Sequence, residues 1–145
     1  MITNEVQCRA TKAHLATFEA AATNLEAGLK DPGGKLAQLE LAAVKAQADD
    51  LRAEIAEYEL LRSGAVTTFE ASSLAELPTL LVKARIARGW TQRDLADALG
   101  VAEQQVQRYE TTGYRAASLA RLCDVAEALN VLVTETAVLG DPSAA

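Results

Sequence analysis

The stretch from Trp90 to Glu110, WTQRDLADALGVAEQQVQRYE, constrains the fold of this chain more than any other. Thr91 has the side chain of an N-cap, whose oxygen accepts an orphan amide of a first helical turn, and Asp94 stands where the acidic partner of a capping box belongs. Trp90 and Leu95 flank that cap at hydrophobic-staple positions. Leu95, Ala96 and Leu99 mark one apolar face at helical spacing. Gly100 falls where the chain must turn, because glycine enters positive φ without a Cβ clash. Beyond it, Val101, Val106 and Tyr109 make a second buried stripe and leave Glu103, Gln104, Gln105, Gln107 and Arg108 outside. The spacing predicts two short helices at a steep angle about a glycine elbow, with the small Ala96 allowing a close crossing.

The outward face of the second helix is rich in amides and carries one arginine, side chains that can pair with base edges in a major groove. The same composition also suits the solvated face of a small bundle. Caps, turn and exposed amides together favour DNA reading. On Gln92, Leu95, Ala96, Gly100, Val101, Val106, Tyr109, Glu110 and the later run Leu119, Leu122, Ala126 and Leu129, the segment from Leu80 to Val131 resembles the helix-turn-helix domain of the Xre family, which includes the phage Cro and repressor proteins. The resemblance implies that Gln92 bonds a phosphate at a helix terminus, and that Ala102, Glu103, Gln104 and Gln105 open a recognition helix. Gln104 would hold an adenine edge, and Arg108, one turn on, a guanine or a phosphate. Glu103 departs from the pattern, since a carboxylate repels the backbone but can accept from cytosine. Thr111, Thr112, Tyr114 and Arg115 would position the domain on the backbone without reading sequence.

The rest of the chain is expected to be helical. Half of its residues are hydrophobic but only 4% are aromatic, so its core must be built from Leu, Val, Ile and Ala. Cys8, Thr11, Leu15, Phe18, Ala22, Leu25 and Leu29 alternate at steps of three and four, as do Leu41, Val44, Ala48, Leu51, Ile55 and Tyr58. Lys30, Asp31, Pro32, Gly33 and Gly34 break the two runs apart. Two helices so joined fold back as an antiparallel hairpin. The expected organisation is a coiled-coil-like hairpin arm over 1–63, a linker or short strand over 64–73, the helix-turn-helix domain over 74–140 and a tail over 141–145. The expected fold is mainly all-α, a hairpin plus a compact domain of four to five helices. Val66 to Phe69 and Val131 to Val138 have the β-branched character of two short strands, which would pair within one chain or across a dimer. Pro78 suits a helix start, and the helix it opens ends at Gly89 with Lys83, Arg85 and Arg88 outside. Ser118 caps a last helix with Leu119, Leu122, Cys123, Ala126 and Leu129 inward and Asn130 at its end.

A net charge of −6 opposes nucleic-acid binding, but the excess acid lies mostly before Leu74. The two cysteines, Cys8 and Cys123, read as small buried hydrophobes in a reducing cytoplasm. No apolar run is long enough to span a bilayer, and the first residues lack a signal-peptide core. His14, the one histidine, has no second ligand at metal spacing. No nucleophile–base pair and no phosphate loop stands out, so neither an enzyme nor a cofactor is expected. The expected partners are double-stranded DNA and a second copy in a homodimer. The run EIAEYELLRSG also resembles the arm of HigA-type antitoxins, which implies a toxin protein as a further partner and repression of its own promoter. The alternative is an adaptor that binds a protein through its hairpin and does not read DNA.

Overall fold

The computed structural model describes residues 1–28 and 34–141. The described residues contain six α-helices, α1 (Glu5–Gly28), α2 (Lys35–Arg62), α3 (Leu77–Ala87), α4 (Gln92–Leu99), α5 (Glu103–Thr111) and α6 (Leu119–Ala128), with a 3-10 turn at Leu74–Glu76 ahead of α3. The expected break at Lys30 to Gly33 and most of the expected tail lie outside the described residues.

α1 and α2 form the antiparallel hairpin. Arg62 pairs with Glu5, Lys12 with Glu59 at 2.6 Å, Arg52 with Glu19 at 2.8 Å, and Lys45 with Glu26, so partners climb one helix as they descend the other. These pairs are exposed and contribute little each. The seam beneath them holds the hairpin. Cys8, Ala48, Ile55, Tyr58 and Leu61 are buried, while Leu15, Phe18, Leu25, Leu41, Val44 and Leu51 are half-buried. Burial deepens toward the base of the hairpin because a second body packs there. Ile2, Cys8, Ile55, Tyr58 and Leu61 belong to the same apolar cluster as Leu77, Leu81, Ile86, Leu95, Val106, Val125 and Leu129. One core therefore runs from the foot of the arm into the bundle of α3 to α6.

Local chemistry starts and stops the bundle helices. Pro78 sits in the first turn of α3, where its missing N–H costs nothing. Ser118 caps α6 by accepting from the Arg121 amide at 3.2 Å. Asn130 ends that helix with φ of 51°, a conformation that asparagine tolerates better than most residues.

The two expected strands do not form among the described residues. Residues 65–71 and 131–141 carry no regular structure, and parts of both, Val66 to Ala71 and Val131 to Ala137, line one groove of about 1070 Å³ together with residues of α3. The outer face of the second segment is left bare, with Leu132 95% and Leu139 99% exposed. Two assignments on α6 also change. Cys123 and Leu119 are exposed, since the inward stripe of that helix is Leu122, Val125, Ala126 and Leu129 and Cys123 lies one step off it.

Candidate nucleic-acid interface

α4 begins with the capping box that its sequence promises. The Thr91 hydroxyl accepts from the Asp94 amide at 3.1 Å, and the Asp94 carboxylate accepts from the Thr91 amide at 2.7 Å. The Thr91 hydroxyl also donates to the Asp94 carboxylate at 2.7 Å, and that bond first and the Thr91 amide second hold the Asp94 carboxyl below the usual range. Gly100 ends the helix with φ of 67° and ψ of 32°. A Cβ there would meet nothing within 4 Å, so the backbone conformation alone asks for glycine. Leu95 and Ala96 on α4 and Val106 on α5 are buried, which fixes the two helices against each other.

Beneath that apolar contact lies a buried polar cluster. Arg85 of α3 is 2% exposed. Its Nε and Nη2 donate to the two oxygens of Glu110 at 2.6 and 2.8 Å. Its Nη1 donates to the Trp90 carbonyl at 2.7 Å, and Nη2 also donates to the Thr3 carbonyl at 2.7 Å. Gln92, the first residue of α4, donates through Nε2 to Glu110 at 2.7 Å and accepts at Oε1 from Asn4 at 3.2 Å. No buried side-chain nitrogen or oxygen among the described residues is left without a partner. A buried ion pair holds its place only when its remaining donors and acceptors are filled in this way.

Of the expected contact residues, Ala102, Glu103, Gln104, Arg108, Thr111, Thr112 and Arg115 are exposed and Gln105 is half-buried. All eight lie on α5, at its start, or in the turn that follows. Gln92 and Tyr114 stand elsewhere. Gln92 is 6% exposed and both ends of its amide are engaged, so it stands in the frame rather than on the surface. Tyr114 is 3% exposed and stacks on Tyr109, with ring centroids 5.3 Å apart. Burial first, and then the Glu110 carboxylate, push its hydroxyl well above the ordinary tyrosine range.

Of the trio expected outside on α3, Arg88 is exposed, Lys83 only partly so, and Arg85 is corrected. Arg85 is buried, Lys83 is half-buried and pairs with Glu57 at 2.6 Å, and Arg88 donates to the Leu129 and Asn130 carbonyls at 2.7 and 2.9 Å. Spacing held the signal. Arg85 lies four residues after Leu81, and Glu110 four after Val106, so each charge shares a face with a core residue. The cationic groups left over are informative. Among the described residues, Arg9, Lys35, Arg88, Arg93, Arg108 and Arg115 are exposed with no ion pair, and three of these six, Arg93, Arg108 and Arg115, gather on α4, α5 and the following turn. Glu103 is partly satisfied by its own helix, accepting from Gln107 at 3.3 Å.

Two short helices, the first capped by Thr91 and Asp94, a left-handed glycine between them and an outward face of amides and free arginine define a helix-turn-helix. Residues 81–135 match the family model described as Helix-turn-helix. Together with the geometry, this match marks the segment as a DNA-binding domain of the kind found in regulators. No curated protein and no solved structure gives a significant match to the chain. No helix among the described residues is long and apolar enough to cross a membrane.

Proposed function

We propose that the protein is a sequence-specific transcriptional repressor that binds a palindromic site as a two-fold dimer, with α5 in the major groove. The carrying observation is the exposed face of α5, where Arg108 has no ion pair in a chain that pairs most of its other cations. Gln104 and Arg108 read base edges, each bidentate contact contributing about 1–3 kcal/mol of discrimination. Ala102, Glu103 and Gln105 shape the first turn of the reading helix, and Glu103 selects for cytosine by accepting from its amine. Thr111, Thr112 and Arg115, joined by Arg93, bond the phosphates and set the register. Gln92 and Tyr114 act from inside, holding α4 and the turn. Two copies place their α5 helices roughly 34 Å apart, one turn of duplex.

Selection of bound sequences from random duplex DNA at fixed salt tests this reading. A palindromic motif is expected, with affinity that falls steeply as salt rises. Gln104→Ala and Arg108→Ala should each weaken the selected site by roughly ten-fold or more and relax preference at one position. If no motif emerges, the repressor reading fails. The second reading, a partner protein seated on the hairpin, is favoured by Leu36 and Leu39, which stand exposed on α2. A toxin would be such a partner. An adaptor of this kind, with no role for DNA, predicts no salt-sensitive duplex binding and no effect of Gln104→Ala or Arg108→Ala.

A further inference from the structure

The buried cluster of the reading domain is completed from outside that domain. The matched segment begins at residue 81, yet two of the cluster's hydrogen bonds come from the residues that lead into α1. Ile2 is buried in the common core. The Thr3 carbonyl accepts from Arg85, and the Asn4 amide donates to Gln92. Asn4 does this with half of its side chain. Its Oδ1 accepts from the Gln7 amide at 2.9 Å and so caps α1. Its Nδ2 reaches the first residue of α4. One side chain thus ties the start of the hairpin to the start of the first motif helix, and Gln92 passes the tie to Glu110 on α5 at 2.7 Å.

The arrangement is consequential because the middle member is nearly sealed from water. Gln92 Oε1 has Asn4 as its partner, and a buried acceptor that loses its donor must either find another or move. A shift of Gln92 carries the first turn of α4 with it and releases one of the bonds on Glu110. The angle at which α5 is presented depends on both. We propose that Asn4 is a positioning residue for DNA reading, and that through Gln92 and Glu110 it couples the seating of the hairpin to the affinity for duplex DNA. The proposal rests on the DNA-reading assignment above. It makes the arm a control element: whatever lifts Ile2 to Asn4 from the bundle weakens the grip of α5.

Asn4→Ser separates the two tasks of the residue, since serine caps α1 as well as asparagine does but is too short to reach Gln92. The full chain is compared with Asn4→Ser, Gln92→Met and the double variant, each measured against the selected duplex well below its melting temperature. Asn4→Ser is expected to weaken binding roughly five-fold or more with an unchanged salt slope, because no phosphate contact is lost. In the Gln92→Met background the same substitution should have no further effect. Equal losses in both backgrounds would overturn the proposal, as would a lowered melting temperature with unchanged affinity. Amide hydrogen exchange across Leu95 to Leu99 provides a readout independent of DNA. If the wild-type chain binds no duplex, the DNA reading falls, and the exchange decides the bridge alone: faster exchange in Asn4→Ser sustains it, and unchanged exchange refutes it.

Discussion

Arg85 and Glu110 hold each other through two hydrogen bonds inside the bundle, and the consequences are local and measurable. Removing one partner leaves the other charge buried and alone, so Glu110→Ala should lower the unfolding free energy by about 3–5 kcal/mol in urea titrations. Replacing both by apolar residues should recover only part of that loss, because the Trp90 and Thr3 carbonyls accept from the same guanidinium. Tyr114 gives a pH dependence with a definite sign. Its folded pKa is raised, by burial first and by Glu110 second, above the roughly 10 of an unfolded tyrosine. Its contribution to stability is therefore complete below about pH 10 and is lost as pH rises beyond it. Tyr58, raised by burial as well, adds in the same direction. Urea midpoints from pH 8 to 11 should fall, and Tyr114→Phe should flatten much of that fall.

Among the elements, α4 and α5 are joined through a glycine held in the left-handed conformation. Gly100→Ala meets no steric neighbour, so its cost is that of the left-handed backbone alone, about 1–2 kcal/mol, read as a lower thermal midpoint by circular dichroism. Ala96 is a packing matter instead. It is buried against the apolar core, and Ala96→Leu should cost about 1–3 kcal/mol by pushing α5 away, with DNA affinity falling too. The capping box at Thr91 and Asp94 was readable from residue types three apart, and so were the glycine stop, the Ser118 cap and the hairpin seam, because each depends on neighbours in sequence. Cys123 faces outward because a one-residue step from Leu122 rotates a side chain by about 100°, whereas Leu119 keeps the spacing of the inward stripe and is exposed as the first residue of α6.

The whole molecule is organised around a core that ignores the expected border between arm and domain. Ile2, Tyr58 and Leu61 pack with α3 to α6, and Thr3 and Asn4 serve the polar cluster. A fragment from Ser72 to Ala145 should therefore melt far below the full chain, or fail to fold cooperatively, when both are followed by circular dichroism. Oligomeric mass is then best compared on full-length variants.

The linear order of residues settles where helices begin, end and turn, which faces are apolar, and which side chains of α5 are left to the solvent. Caps, glycine turns and periodicity act over a few residues and are written in the sequence as such. Folded contacts decide the rest: that Arg85 meets Glu110, that Gln92 and Tyr114 face inward, that two β-prone segments form no strands, and that the approach to α1 completes a cluster more than eighty residues away. A buried charge is tolerated only where a distant partner meets it, and no local pattern can announce a partner that the chain must fold to reach.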